Sequence, residues 1–510
     1  MKVAEAVGRT LARLGVDQVF GVVGSGNFHV TNALMAGGAQ FVAARHENGA
    51  AMMADAFSRS TGRVSVVSLH QGCGLTNAMT GITEAAKSRT PVLVVSGDTP
   101  RTLKTSNFWI DQSTAVAALG AEVESVHTPE TAVADAIRAF RRALLERRTV
   151  LLNLPLDVQE ADVEWTPALV EEAPERLFPG PAPEAVHRLA DLLAGAERPV
   201  LVGGRGALGA RGELEYLADA CGALLATSAV ARGLFAGHPW SLDVMGGFAT
   251  DAVAELIQDA DVLVSFGAAL NRWTTRNGTL VRPGTTVVQV DLDLEALGHH
   301  RPADLGVVGD SAAVAAAVAA ELEGRAGAAD GYRGDAVGER IRKGTRWQDV
   351  PFEDTGTSER IDPRTLTIAL DDLLPAERVV VPDGGNFNGY PAMFFDVPDQ
   401  WGYCLPLAFQ SIGLALPAAI GSAVAQPGRV AIAGVGDGGL MMSLTELDTA
   451  VRLRLPLVVV VYNDDAYGAE VHHFEPEGRR WTRSSSRRPT SRRSLAVSGA
   501  PGSPCAARRT

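Results

Sequence analysis

One feature constrains this chain more than any other: short apolar runs, rich in Val and Leu, alternate with stretches of helical periodicity. The runs occupy 18–23, 64–69, 91–96, 151–155, 199–202, 262–266, 286–290, 378–381, 430–435 and 457–462. Helical patterns fill 2–14, 47–60, 76–87, 411–425 and 441–453. Continuous apolar strands need cover on both faces, and intervening helices supply it. The expected fold class is therefore α/β, with doubly wound parallel sheets.

The alternation falls into three blocks. Residues 1–164 form the first, whose last strand reads Leu151-Leu152-Asn153-Leu154-Pro155. A Pro- and Glu-rich linker, 165–183, leads to a central Rossmann-like block at 184–325, and a polar linker over 324–358 leads to the third at 360–478. A length of 510 residues, 46% of them hydrophobic, is material for about three domains. The formal charge of −13 disfavours a nucleic-acid partner. Four widely spaced cysteines without a Cys-x-x-Cys fit a reducing compartment, so the expected location is cytoplasmic. No apolar run reaches the roughly 18 residues of a membrane span, and the mixed charges of 1–14 are unlike a signal peptide.

Residues 479–510 break the pattern. After Glu477 there is no Asp, Glu or Lys, whereas nine of the 46 basic residues lie between Arg479 and Arg509. One reading is a solvated basic arm, in which Trp481 is the only aromatic residue. The other is a change of reading frame. A permissive back-translation of 480–499, read two nucleotides on, gives Met-Asp-Thr-Val-Val-Phe-Pro-Glu-Thr-Asp-Phe-Ala-Ala-Leu-Ala-Arg-Gly-Phe-Gly, a loop followed by a capped amphipathic helix. The coding DNA decides between them.

The sharpest chemical signal is in the third block. Gly436-Asp437-Gly438 follows the strand at 430–435, and Asn463-Asp464-Asp465 follows the strand at 457–462. Parallel strands joined by a right-handed crossover end at one edge, so the two segments should emerge together where such sheets bind ligands. The glycines let backbone amides approach a phosphate, and the helix start after them favours an anion. Two hard oxygen donors beside a diphosphate make a Mg²⁺ site. A lone Gly-Asp-Gly is ordinarily only a turn; the returning Asn-Asp strand end is what gives it weight.

These two segments resemble the diphosphate-binding motif of the thiamine diphosphate-dependent enzymes, with Asp464 where the motif ends in Asn. The resemblance implies that Asp437, Asp464 and the carbonyl of Ala466 hold Mg²⁺. It places Gly436, Gly438, Gly439, Asn463 and Tyr467 on the cofactor. Ser411-Ile412-Gly413-Leu414-Ala415 is similar to the segment whose bulky residue wedges the cofactor into a bent shape, which makes Ile412 the candidate; a core residue of a buried helix is the other reading. Arg45-His46-Glu47-Asn48-Gly49-Ala50 resembles the Arg-His-Glu-x-x-Ala segment of the family's pyrimidine-binding domain. Glu47 is then the acid that exchanges a proton with the pyrimidine ring. Otherwise it is a surface acid favoured by a helix start.

Because Glu47 and Asp437 lie in different blocks, the resemblance implies a homodimer or homotetramer in which they meet across subunits. Gly72-Cys73-Gly74-Leu75-Thr76-Asn77, 91–98, 154–159 and Val290-Asp291-Leu292-Asp293 resemble the acetolactate synthase-like branch. The implied reaction is a transferase-type carboligation of 2-oxo acids, as in branched-chain amino acid biosynthesis. Two candidate catalytic residues, His70 and Gln112, qualify this. His70 resembles the proton-transferring histidine of benzoylformate decarboxylase and keeps a simple decarboxylase or lyase open. Gln112 resembles a glutamine near the synthases' active centre, although Asp111 replaces an aromatic residue. The run 204–209 fits G-x-G-x-x-G, which keeps FAD or a flavin or nicotinamide oxidoreductase open, but no acid follows about 20 residues on. A further alternative is an inactive, truncated paralogue, should 479–510 be out of frame.

Overall fold

The computed structural model describes residues 1–170, 178–324 and 331–477. The tail at 479–510 lies outside them. Two compact units divide the chain: one takes in 1–170, 379–388 and 404–477, the other 178–324, 331–378 and 389–403.

The first unit is built on a six-stranded sheet of β1 (Gln18–Gly21), β2 (Gln40–Ala43), β3 (Ser65–Leu69), β4 (Val92–Asp98), β5 (Glu122–Ser125) and β6 (Val150–Pro155). Their order is β2-β1-β3-β4-β6-β5, and every neighbouring pair is parallel. Of the four inner strands, β1, β3 and β6 are wholly buried and β4 is buried up to Gly97, which is why their sequences read as largely apolar runs. The edge strands β2 and β5 are short and half-buried, and as Gln-Phe-Val-Ala and Glu-Val-Glu-Ser they carry no such run.

The second unit holds β7 (Pro199–Gly203), β8 (Leu224–Thr227), β9 (Ser241–Val244), β10 (Val262–Phe266), β11 (Thr286–Asp291) and β12 (Leu305–Val308), ordered β12-β11-β10-β7-β8-β9 and all parallel. The polar stretch expected as a linker over 324–358 contains a helix, Asp335–Gly344, anchored by the buried Ile341.

A three-stranded sheet, β13-β14-β15 (Arg378–Pro382, Val430–Gly436, Leu457–Tyr462), carries the third block. Two expectations are corrected here. The helix expected over 411–425 begins only at Ala415, because Gln410 and Gly413 adopt positive φ of 62° and 82°. Ile412 therefore lies in a turn, not inside a helix. The helix expected over 441–453 is two helices, Asp437–Ser443 and Glu446–Leu453, so Asp437 is itself the first helical residue.

Helix Glu47–Thr61 is the centre of the first unit, with Gly49 to Ser58 buried without a break. A helix buried all round must meet neighbours on every side, and small residues let them approach. A Cβ on Gly421 of helix Ala415–Ala425 would lie 2.2 Å from the Met53 carbonyl oxygen, and one on Gly81 of helix Cys73–Lys87 would lie 2.6 Å from Ala51 Cβ. Inside this packing Arg59 bridges two fully buried acids, at 2.7 Å from both Asp55 and Glu84. Among the described residues no helix is long and apolar enough to cross a membrane, and Cys73, Cys221 and Cys404 are free thiols.

Candidate active site

Parallel strands β2, β3 and β4 end at one edge of the first sheet, and the segments after them carry the three expected residues Glu47, His70 and Gln112. Glu47 opens its helix behind the N-cap His46, whose Nδ1 accepts the Asn48 N–H at 3.1 Å. Half-buried, the Glu47 carboxylate accepts a hydrogen bond from Asn77 Nδ2 at 3.1 Å. His70 follows β3; its Nε2 lies 3.3 Å from Ser25 Oγ and its Nδ1 3.0 Å from the Gln71 carbonyl oxygen. Its ring packs on Phe108 with centroids 5.0 Å apart. Gly74 lies beside both groups: a Cβ there would be 3.2 Å from His70 Cβ and 3.6 Å from Glu47 Oε1. Gly72 makes the turn that places them, with φ of 64° and no room for a Cβ beside the Phe108 carbonyl, 2.2 Å away.

Gln112 has a different setting. It is buried; its Oε1 accepts the Gly72 N–H at 2.7 Å, and its Nε2 donates to the Gly97 carbonyl and Asn153 Oδ1, both at 2.9 Å. The side chain is committed to holding the Gly72 turn.

The third sheet builds the other half. Gly436 pairs with Tyr462 in the parallel register of β14 and β15, so Asp437 and Asn463 leave the sheet side by side. Asn463 Oδ1 accepts the Asp465 N–H at 3.0 Å and Asp464 Oδ1 accepts the Ala466 N–H at 3.1 Å, which folds the chain into a tight turn with Asp465 at φ of 56°. Burial pushes the Asp437 carboxyl above its ordinary range, and the negative charges of Asp464 and Asp465 push it further. Open space lies beside Gly438, whereas a Cβ on Gly436 would strike the Phe387 ring at 2.8 Å. Ile412 and Tyr467 are exposed.

The donor set fits Mg²⁺ bound with a diphosphate. Among the described residues no three His, Cys, Asp or Glu side chains form a cage that could hold a metal alone. Mg²⁺ characteristically takes one or two carboxylates and completes its shell with phosphate oxygens and water. A cation beside Asp437 would also offset the burial and the repulsion that together raise its pKa. Asp437→Asn is expected to weaken Mg²⁺-dependent cofactor binding by about 10–100-fold, read by calorimetry; unchanged affinity would count against this donor set.

The sequence reading missed one element of this half-site. Asp383, just after β13, is fully buried, and its carboxylate accepts the N–H groups of Gly384 at 2.9 Å, Gly413 at 2.9 Å and Leu414 at 3.2 Å. It thereby fixes the turn that presents Ile412. A single Asp after a strand has no motif to announce it. Burial raises its pKa to about 6 against the backbone bonds that lower it. The folded value exceeds the ordinary 3.8, so stability is fully present below about pH 4 and is lost as pH rises through 6. The whole effect amounts to about 3 kcal/mol, of which about 1 kcal/mol falls between pH 7 and 5. Wild-type protein should therefore gain about that much over Asp383→Asn on going from pH 7 to 5 in denaturant titrations; parallel titrations would refute it.

In the second unit, the G-x-G-x-x-G turn after β7 serves the protein itself. The Gly204 N–H donates to the Phe266 carbonyl at 2.8 Å and the Gly206 N–H to the Gly267 carbonyl at 3.1 Å. Those two amides are therefore not available to cradle a dinucleotide pyrophosphate.

Comparison with known proteins decides the family. Residues 1–117 match the thiamine pyrophosphate enzyme N-terminal TPP binding domain, 186–318 the central domain, and 383–502 the C-terminal TPP binding domain. The chain belongs to the thiamine pyrophosphate enzyme family. It is 30% identical over 502 residues to the sulfoacetaldehyde acetyltransferase of Rhodobacter capsulatus, covering 92% of this chain and 83% of that one. It is 31% identical over 485 residues to a probable 2-ketoarginine decarboxylase of Pseudomonas aeruginosa, covering 91% and 82%. It is 28% identical over 499 residues to a probable acetolactate synthase large subunit of Methanocaldococcus jannaschii, covering 92% and 81%. This thiamine pyrophosphate enzyme thus has similar proteins named as acetyltransferase, decarboxylase and synthase.

Proposed function

We propose that this protein is an acetolactate synthase-like carboligase of 2-oxo acids, decarboxylating a pyruvate-like donor and joining the remainder to a second carbonyl compound. The observation that carries this is the pair of half-sites: Glu47 and His70 flank Gly74 at one sheet edge, and Asp437 meets Asn463-Asp464 at another. The similarity to a synthase and an acetyltransferase supports carboligation. Asp437, Asp464 and the Ala466 carbonyl would hold Mg²⁺, and Gly436, Gly438, Gly439, Asn463 and Tyr467 would line the diphosphate. When bound, thiamine pyrophosphate supplies the electron sink for loss of CO₂. Glu47 would hold and release the proton that the cofactor's pyrimidine ring requires, and Ile412 would be the wedge against the bound cofactor. Gln112 acts by holding the Gly72 turn. FAD is not required by this reading.

Both half-sites carry exposed apolar rims. Val23, Phe28, Leu103, Phe108 and Trp109 lie around the first, and Phe409, Ile412, Met441, Met442 and Tyr467 around the second. Rims of this kind favour burial against a second copy of the chain, so the working unit is proposed as a homodimer or dimer of dimers.

A simple decarboxylase is the second reading, favoured by the imidazole of His70 beside Glu47 and by the similarity to the 2-ketoarginine decarboxylase. Incubation with thiamine pyrophosphate, Mg²⁺ and pyruvate, followed by product analysis, separates the two. A 2-hydroxy-3-oxo acid supports carboligation, a free aldehyde supports simple decarboxylation, and neither product from a cofactor-loaded protein refutes both.

A further inference from the structure

Two buried carboxylates outside the groups assigned above spend their oxygens on the peptide backbone next to those groups. Glu446, on helix Glu446–Leu453, is 1% exposed. Its Oε1 accepts the N–H groups of Arg45 at 3.0 Å and His46 at 2.9 Å, and its Oε2 accepts the Thr449 hydroxyl at 2.7 Å. Those two amides immediately precede Glu47. The first turn of the Glu47 helix rests on the same carboxylate, since a Cβ on Gly49 would lie 2.3 Å from Glu446 Oε1. Glu84, fully buried on helix Cys73–Lys87, makes the converse tie. It accepts the N–H groups of Ala408 at 2.9 Å and Phe409 at 2.6 Å, just before Ile412. Arg59, paired with Glu84, donates to the Leu405 carbonyl of the same loop at 2.9 Å.

A buried carboxylate is costly to desolvate, and charge-assisted bonds to amides repay it only where the backbone is held still. Burial raises the Glu446 carboxyl above its ordinary range, against the opposing pull of Thr449 and the two amides. Arg45 is also held at its side chain, by an exposed pair with Asp448 at 2.6 Å, so the Glu446 bonds to backbone are a separate, sheltered restraint. We propose that Glu446 is a positioning residue for Glu47 and Glu84 a positioning residue for the Ile412 loop, each domain's carboxylate fixing the active segment of the other domain in the same chain. This rests on the roles given to Glu47 and Ile412 above. In a two-subunit site those segments serve different centres, so the crossed ties join one centre to the next.

Glu446→Gln and Glu84→Gln in the full chain test it. Without cofactor, amide hydrogen exchange should speed up about tenfold at Arg45 and His46 in Glu446→Gln alone, and at Ala408 and Phe409 in Glu84→Gln alone. With thiamine pyrophosphate and Mg²⁺, Glu446→Gln should slow hydrogen–deuterium exchange at C2 of the cofactor by about 10–100-fold while its Kd stays near wild type. Glu84→Gln should weaken the Kd by about tenfold and leave C2 exchange at saturation unchanged. Thr449→Val, which removes one donor to Glu446, should act like Glu446→Gln with a smaller effect, and carries the test if Glu446→Gln does not fold. Asp448→Asn should change none of these. Wild-type C2 exchange in Glu446→Gln and Thr449→Val, or identical effects of the two Glu→Gln variants, would overturn the proposal. If Glu47→Gln itself keeps wild-type C2 exchange, the functional reading falls instead.

Discussion

Glu47→Gln is expected to leave the protein folded and to remove nearly all turnover, a loss of about 10²–10⁴-fold, as for other general acid–base groups. The fold should survive because Gln has the shape of Glu, and its amide oxygen can still accept from Asn77 Nδ2, now at 3.1 Å from the carboxylate. The backbone around position 47 is held by Glu446, which the substitution does not touch. What Gln cannot do is take up and release a proton. Product formation at saturating cofactor, with the melting temperature as the control for folding, is the measurement. Full activity in a folded variant would remove Glu47 from the mechanism.

Arg59→Met is expected to cost about 3–5 kcal/mol of stability, the range for removing one partner of a buried ion pair. Asp55 and Glu84 are both fully buried, and Arg59 serves them together with Ser88 Oγ at 2.5 Å and the Leu405 carbonyl at 2.9 Å. Burial already raises the Asp55 carboxyl, and the arginine's charge is what opposes it. Without that charge two carboxylates face each other in an apolar interior. Arg59→Lys should recover part of the loss, because an ammonium has three donors and lacks the planar fork that reaches these separate acceptors. Denaturant midpoints measure both variants. A midpoint within experimental error of wild type for Arg59→Met would show that the network is neutral.

How much of this was legible beforehand depends on the range of the interaction. Inner strands such as β3, β10 and β14 are readable because a strand covered on both faces must be largely apolar. The edge strands β2 and β5 were not, since half-burial demands little of four residues. Asp437 and Asn463 were placed together by strand, crossover and returning strand, and the register of Gly436 with Tyr462 puts them there. The helix start at Asp437 and the turn around Ile412 were misjudged. The turn depends on backbone angles at Gly413 and Gln410 that composition does not report.

By itself the sequence determined the parallel α/β class, the family through its spaced motifs, and the residue types that bear the chemistry, because periodicity and short motifs are local properties of a chain. Only the tertiary structure decided which groups hold those residues in place. Asp383 reaches Gly413 across 30 positions and Glu446 reaches His46 across 400, and a hydrogen bond between residues so far apart leaves no pattern in the sequence near either partner.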